Sequence, residues 1–211
     1  MKRLALIALL LLTACGDGGG GGSKPTSLTV WAPPGVWQLA YGTKGIPVTQ
    51  EPVSFRFPDP SQGSANYLIY GATQPLQAGL TMKAYVHIEA SSVLKPVSDE
   101  PPATMRLFFE RKGDDLTGNG DMQSYRWWSA SSIDISNTGD YILTETLTPD
   151  RWTDVYGRNG SAVPELFQAA LNEVGNVGMT FGGKSFAGHG DAAEGGAVVF
   201  TLTYYSQGTQ P

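Results

Sequence analysis

The densest run of chemistry-bearing side chains in the chain is Tyr125-Arg126-Trp127-Trp128. An indole plane is a good platform for the C–H face of a sugar, and a neighbouring Arg or Asp can bind the sugar's hydroxyls. Adjacent residues on a strand point to opposite faces, so Trp127 and Trp128 cannot both enter one core. The second indole is either offered to a ligand or covered by a loop or the helix, and both readings stay open. Trp31, Trp37 and Trp152 lie near segment ends and are equally ambiguous.

Two acids stand out for chemistry. Glu145 shares a strand face with Tyr141, Leu143 and Leu147. A carboxylate among apolar neighbours is either paired with a cation or raised in pKa for catalysis. Arg126 is the expected partner. A glycosidase needs two carboxylates flanking the scissile bond, and Glu145 with Glu110 is the pair to test. A serine hydrolase needs an exposed elbow of the form G-x-S-x-G, which the chain lacks.

The two histidines, His87 and His189, have no metal-binding spacing between them, although Asp191 lies near the second. His87 is expected on a strand face, and His189, in Gly188-His189-Gly190, in a tight turn. Asp115, Thr117, Asn119 and Asp121 alternate oxygen donors like the start of a calcium loop, with Gly120 sixth. The third position is a threonine and the twelfth is Arg126, where a bidentate glutamate belongs. The favoured reading is a polar turn, with Asp115, Asn119 and Asp121 a weak calcium candidate and no cofactor expected. Gly178 to Ser185 matches the phosphate-loop spacing G-x-x-x-x-G-K-S/T. That motif needs a strand before it and a helix after it. Phe186-Ala187-Gly188 does not start a helix, so the run reads as a glycine-rich turn after a strand and nucleotide is not an expected ligand.

These residues must be placed by strands. Leu80 to Ala90 alternates strictly, with Leu80, Met82, Ala84, Val86, Ile88 and Ala90 on one face and Thr81, Lys83, Tyr85, His87 and Glu89 on the other. Further strands are expected over 53–57, 66–70, 105–111, 125–128, 141–147, 177–181 and 197–205. Turn signals at Pro58-Asp59-Pro60, Gly118-Asn119-Gly120, Asn137-Thr138-Gly139 and Asn159-Gly160 separate them. One helix is expected near 163–174. Ser161 would cap it, Leu166, Phe167, Ala170, Leu171 and Val174 would form its apolar stripe, and Gly175 would end it. The pattern predicts an all-β fold, a two-layer antiparallel β-sandwich of jelly-roll type.

Composition sets the address. Lys2 and Arg3 precede an unbroken apolar stretch from Leu4 to Leu12, too short to span a bilayer. The segment Leu12-Thr13-Ala14-Cys15 resembles the lipobox of bacterial lipoproteins. The resemblance implies a signal peptide over 1–14, cleavage before Cys15, and lipidation of that cysteine, with anchoring to the cell envelope. Gly16 follows the cysteine where an aspartate would mark inner-membrane retention, so an outer membrane is the expected site in a Gram-negative source. Residues 15–27 form a tether rich in glycine, whose ten-residue span is roughly 17 Å. Residues 28–207 form one domain and 208–211 a tail. Without Lys2 and Arg3 the chain keeps 12 basic against 19 acidic residues, a formal −7. That surface, with no basic cluster, disfavours nucleic acid and anionic headgroups as partners. Cys15 is the one cysteine, so no intramolecular disulfide and no cysteine nucleophile are expected.

The strand number, the closing strand 197–205, and the run Val177 to Gly183 with Gly188-His189-Gly190 before that strand resemble carbohydrate-binding modules and other galactose-binding-like jelly rolls. The resemblance spans residues 53–205. It implies a non-catalytic envelope module that recognises a glycan or similar polar ligand, with Trp127, Trp128 and Arg126 as first choices and Tyr85 and His87 as second. The rival reading is a structural or assembly lipoprotein that binds another envelope protein. An envelope glycoside hydrolase ranks third.

Overall fold

The computed structural model describes residues 36–208, apart from 73, 116 and 185–187. Cys15, the glycine run, Trp31 and Ser185 lie outside the described residues. Fourteen strands and one α-helix are described: β1 (Gln38–Ala40), β2 (Thr49–Gln50), β3 (Val53–Arg56), β4 (Tyr67–Gly71), β5 (Thr81–Ala90), β6 (Val93–Pro96), β7 (Thr104–Arg111), β8 (Arg126–Ser129), β9 (Ile133–Asp134), β10 (Gly139–Thr146), β11 (Trp152–Asp154), α1 (Pro164–Asn172), β12 (Val174–Gly182), β13 (Asp191–Glu194) and β14 (Val198–Gly208).

The strands build two antiparallel sheets around one core. A seven-stranded sheet runs β1-β4-β12-β7-β8-β11, with β9 joined to β7. A five-stranded sheet runs β10-β5-β14-β3-β2, and β13 pairs with β6 as a separate ribbon. The chain is an all-β sandwich, as its alternation predicts. Met82, Ala84, Val86 and Ile88 of β5 are all buried and pack in one cluster with Leu68, Leu107, Phe109, Met179 and Phe181 of the opposite sheet. Antiparallel sheets with one wet face read as period-two alternation, and β5 shows why the pattern works.

The helix differs from its sequence reading at both ends. Ser161 does not cap it. Val163 stands at the N-cap with no side-chain bond, and Asn159 instead caps a short 3-10 turn over Gly160–Ala162 by accepting from the Ser161 N–H. The helix stops at Asn172, and Val174 and Gly175 already belong to β12. Phe167, Ala170 and Leu171 are buried, whereas Leu166 points outward. Leu166 lies one position off the i, i+3, i+4 stripe that faces the core.

Candidate functional site

The outer face of the seven-stranded sheet carries a second, smaller apolar cluster. Tyr67 and Ile69 of β4, Phe108 of β7 and Trp128 of β8 pack there, with Ala40, Tyr41 and Val155 against them. Register explains the set. Phe108 pairs with Trp128 and Glu110 with Arg126, so alternate residues of β7 and β8 stand on the outside while Leu107, Phe109 and Trp127 enter the core. Trp127 and Trp128 therefore do face opposite ways.

This face holds a cleft of about 800 Å³. Tyr67 and Trp128 form its aromatic floor, Tyr41 and Asn66 one wall, and Thr153, Val155 and Gly157 another; Gly188 and His189 close an end, and Arg106 and Arg126 reach in from β7 and β8. Tyr67 and Trp128 are 3 % and 7 % exposed and show only a margin of their rings, so Tyr41 offers the most open aromatic surface beside the donors and acceptors of the cleft.

The rings are coupled. Tyr41 meets Tyr67 edge-on at 5.0 Å between centroids, and Tyr67 meets Phe108 at 4.8 Å. Tyr67 and Phe108 sit on β4 and β7, with β12 running between them. Gly178 of that strand pairs with both Ile69 and Phe108, and it carries no side chain to separate the rings. A Cβ there would lie 2.0 Å from the Leu68 carbonyl oxygen, at a φ of 151° that disfavours any other residue. The first glycine of the apparent phosphate loop thus serves sheet packing. The first five residues of that run, up to Gly182, belong to strand β12.

Tyr41 is the one non-glycine residue with positive φ among the described residues, at 62°. Such strain persists only where the surroundings fix it, and it concentrates at functional sites. Its hydroxyl donates to both carboxylate oxygens of Glu110, at 3.0 and 3.1 Å. Asn176 also donates to Glu110. Burial raises the Glu110 pKa, the Asn176 and Tyr41 bonds oppose it, and Asp114 adds to the rise. Burial and the Glu110 charge hold the Tyr41 phenol well above its ordinary range. Burial pushes Tyr67 up to about 12, with Arg126, Trp128 and Thr180 around its hydroxyl pulling the other way.

The positive charges at the cleft differ in their partners. Arg126 pairs with buried Asp114 at 2.6 Å. It does not pair with Glu145, which lies in the other sheet and takes Arg151 at 2.9 Å. The sequence expectation fails because Arg126 stands on the outer face of its sheet. Burial pushes the Glu145 pKa up, but the Arg151 and Ser131 hydrogen bonds outweigh it and hold the group below its ordinary value. Arg158 pairs with Asp154 at 2.7 Å. Asp154 is buried, and it shapes the turn beside the cleft by also accepting from the Tyr156 and Arg158 backbone N–H groups and from the Ser124 hydroxyl. The turn holds Tyr156 62 % exposed between two cleft-lining residues.

The predicted ligand residues are not gathered in one place. Arg126 and Trp128 belong to the cleft. Trp127 does not: it is fully buried beside Phe109 and Phe167, and its Nε1–H donates to the Ser124 carbonyl at 2.8 Å. Tyr85 and His87 lie on the outer face of the other sheet. Tyr85 packs edge-on against Tyr204 with the Lys83 ammonium over its ring, and His87 pairs with Asp140 at 2.6 Å. The acids of the calcium reading sit in a turn where the Asp115 carboxylate caps Thr117, accepting from its N–H and hydroxyl. Asp121 lies in the first turn of a short 3-10 helix over Gly120–Ser124, with Asn119 at its N-cap. Among the described residues no group of three or more His, Cys, Asp or Glu side chains is placed to hold a metal ion.

Sequence reasoning missed Tyr41, Arg106 and Asp154. In Met105-Arg106-Leu107-Phe108-Phe109-Glu110, outward Phe108 is as apolar as its inward neighbours, so the alternation that exposes Arg106 is masked. The spacing Asp154-Val155-Tyr156-Gly157 is a turn signal that was legible. Nothing in Tyr41-Gly42 announces a strained tyrosine.

No protein-family model matches the chain, and no curated protein does. A solved xylan-binding module, CBM15, superposes with a TM-score of 0.38 at 15 % identity, covering 81 % of this chain and 90 % of that one.

Proposed function

We propose that the protein is a non-catalytic glycan-binding module and that its ligand lies in the cleft on the outer face of the seven-stranded sheet. The carrying observation is the convergence there of Trp128, Tyr67 and Tyr41 with Arg106, Asn66 and His189. Aromatic faces receive the C–H side of a pyranose, and the fixed polar groups select its hydroxyls. Binding is favoured over hydrolysis because the acids are engaged. Glu110 is 3 % exposed under Tyr41 and Asn176, Asp114 holds Arg126, and Glu145 belongs to the other sheet. Docking of another envelope protein finds less support. The large exposed apolar residues among those described are Val36 before β1, Val93 and Val97 at the two ends of β6, Ile142 on β10, Tyr156 in the turn after β11 and Leu166 on α1, spread over five places in the chain.

The test is a glycan array probed with the purified protein, repeated with Trp128→Ala. A bound glycan class, lost in the variant while circular dichroism is unchanged, supports the reading. An array with no bound glycan sinks it. The envelope address is proposed from the Cys15 segment alone. Incorporation of labelled fatty acid, abolished by Cys15→Ser, checks it separately.

A further inference from the structure

Arg106 is the charge at the cleft that no carboxylate neutralises among the described residues. Arg126 has Asp114 and Arg158 has Asp154. Arg106 instead donates through Nη1 to the Ser129 and Ala130 carbonyls at 2.9 and 3.1 Å, and through Nη2 to the Lys184 carbonyl at 3.3 Å. Carbonyl oxygens orient a guanidinium but do not cancel its charge. Burial alone lowers the Arg106 pKa, and no acid raises it.

A guanidinium has five N–H donors in a rigid fork. The three contacts above leave the Nε–H and one Nη2 N–H without a protein acceptor, and Nε is buried with no partner. Nε is shut off from solvent, so the remaining Nη2 N–H is the donor left for a ligand in the cleft. Arg106 also shares the outer face of β7 with Phe108 and Glu110. The two residues are four apart, about 13 Å along the strand, and Arg126 stands opposite Glu110 on β8. A half-buried charge without a counter-ion is unfavourable, and an anionic ligand group relieves it.

Resting on the glycan reading, we propose that the ligand is an acidic polysaccharide, and that Arg106 receives the carboxylate of a uronic acid residue while Tyr41 and the open margin of Trp128 meet the sugar rings. Arg106 is then the specificity determinant of the cleft.

The experiment is titration calorimetry of the full chain with polygalacturonate, alginate and glucuronoxylan. Each is compared with its carboxyl-reduced form, in which the uronate becomes a neutral alcohol. Reduction should weaken binding of the preferred polymer by about 10- to 100-fold, the range of a charge-assisted hydrogen-bonded contact. Arg106→Gln should bind acidic and reduced forms alike, at the affinity of wild type for the reduced form. Arg106→Lys keeps the charge but not the fork and should retain part of the preference; a thermal melt of each variant shows that it is folded. Equal affinity of wild type for both forms of every polymer overturns the proposal and leaves glycan binding standing. So does a preference for the acidic form that survives in Arg106→Gln. Failure to bind any of these polymers, acidic or reduced, also overturns the proposal, and the glycan reading is then decided by the array.

Discussion

The Tyr41 hydroxyl donates to both oxygens of the buried Glu110 carboxylate, so a residue in left-handed backbone conformation is tied to the middle of the sheet. The bond joins the loop after β1 to β7 across the sequence, and it fixes the wall of the cleft relative to its floor. Replacing Tyr41 with Phe keeps the ring against Tyr67 and removes both contacts. Asn176 alone then serves Glu110. The expected loss is about 1–3 kcal/mol, the usual result of leaving a buried acceptor short of a donor, read by urea unfolding. An unchanged midpoint would show that the bond does not hold the wall.

The two neighbouring tryptophans should behave differently. Trp127→Ala opens a cavity among Phe109, Phe167 and Trp152 and should cost about 3–5 kcal/mol. Trp128 belongs to the smaller outer cluster, so Trp128→Ala should lower stability less while abolishing glycan binding. Denaturation curves and array binding of both variants, measured side by side, separate the roles. Equal destabilisation with binding retained in Trp128→Ala would refute the division.

Glu145 predicts an acid-side effect. Its folded pKa is lowered, so its contribution is present above the ordinary glutamate value and is lost as pH falls through the lower folded value. Arg151→Gln removes the cation that holds the pKa down. The variant should melt at lower temperature at neutral pH, and the difference from wild type should shrink towards pH 3. Melting curves at several pH values test this; a difference constant with pH would contradict it.

Asp191 predicts the opposite sign. It is fully buried, neither carboxyl oxygen has a partner that meets hydrogen-bond geometry, and burial raises its pKa well above the ordinary range against a small offset from the Gly182 N–H. A raised carboxyl pKa gives stability at low pH that is lost as pH rises through the folded value. Asp191→Asn keeps a buried polar group but cannot ionise, so its stability by urea unfolding should lack the fall with rising pH that wild type shows. A variant less stable than wild type at pH 7 would mean that the carboxylate has a use in the fold.

The fold was largely legible because its strands obey one rule. Leu80 to Ala90 could be read directly, since one face is wet and the other dry. The cleft was half legible. Tyr125 to Trp128 drew attention by composition, and the period of two required the indoles to part. It could not say which one faced the core, because that depends on where β7 and α1 lie. Arg106 was hidden by Phe108, an apolar residue on the outer face. The Glu145 partner was missed because pairing across a fold depends on which sheet each residue joins. Asp154 was overlooked because a turn is recognised by its glycine, whereas the carboxylate that holds it together shows its worth only in three dimensions.

Along β7 and β8, Arg106, Phe108, Arg126 and Trp128 stand on the cleft side while Met105, Leu107, Phe109 and Trp127 fill the interior. Mutations at Arg106 or Ala130 can therefore retune ligand preference with little disturbance of the hydrophobic layer beneath, whereas Arg126 must stay to neutralise Asp114. A scaffold wired this way is evolvable, and a library randomised at these outward positions should yield many soluble variants with new tastes.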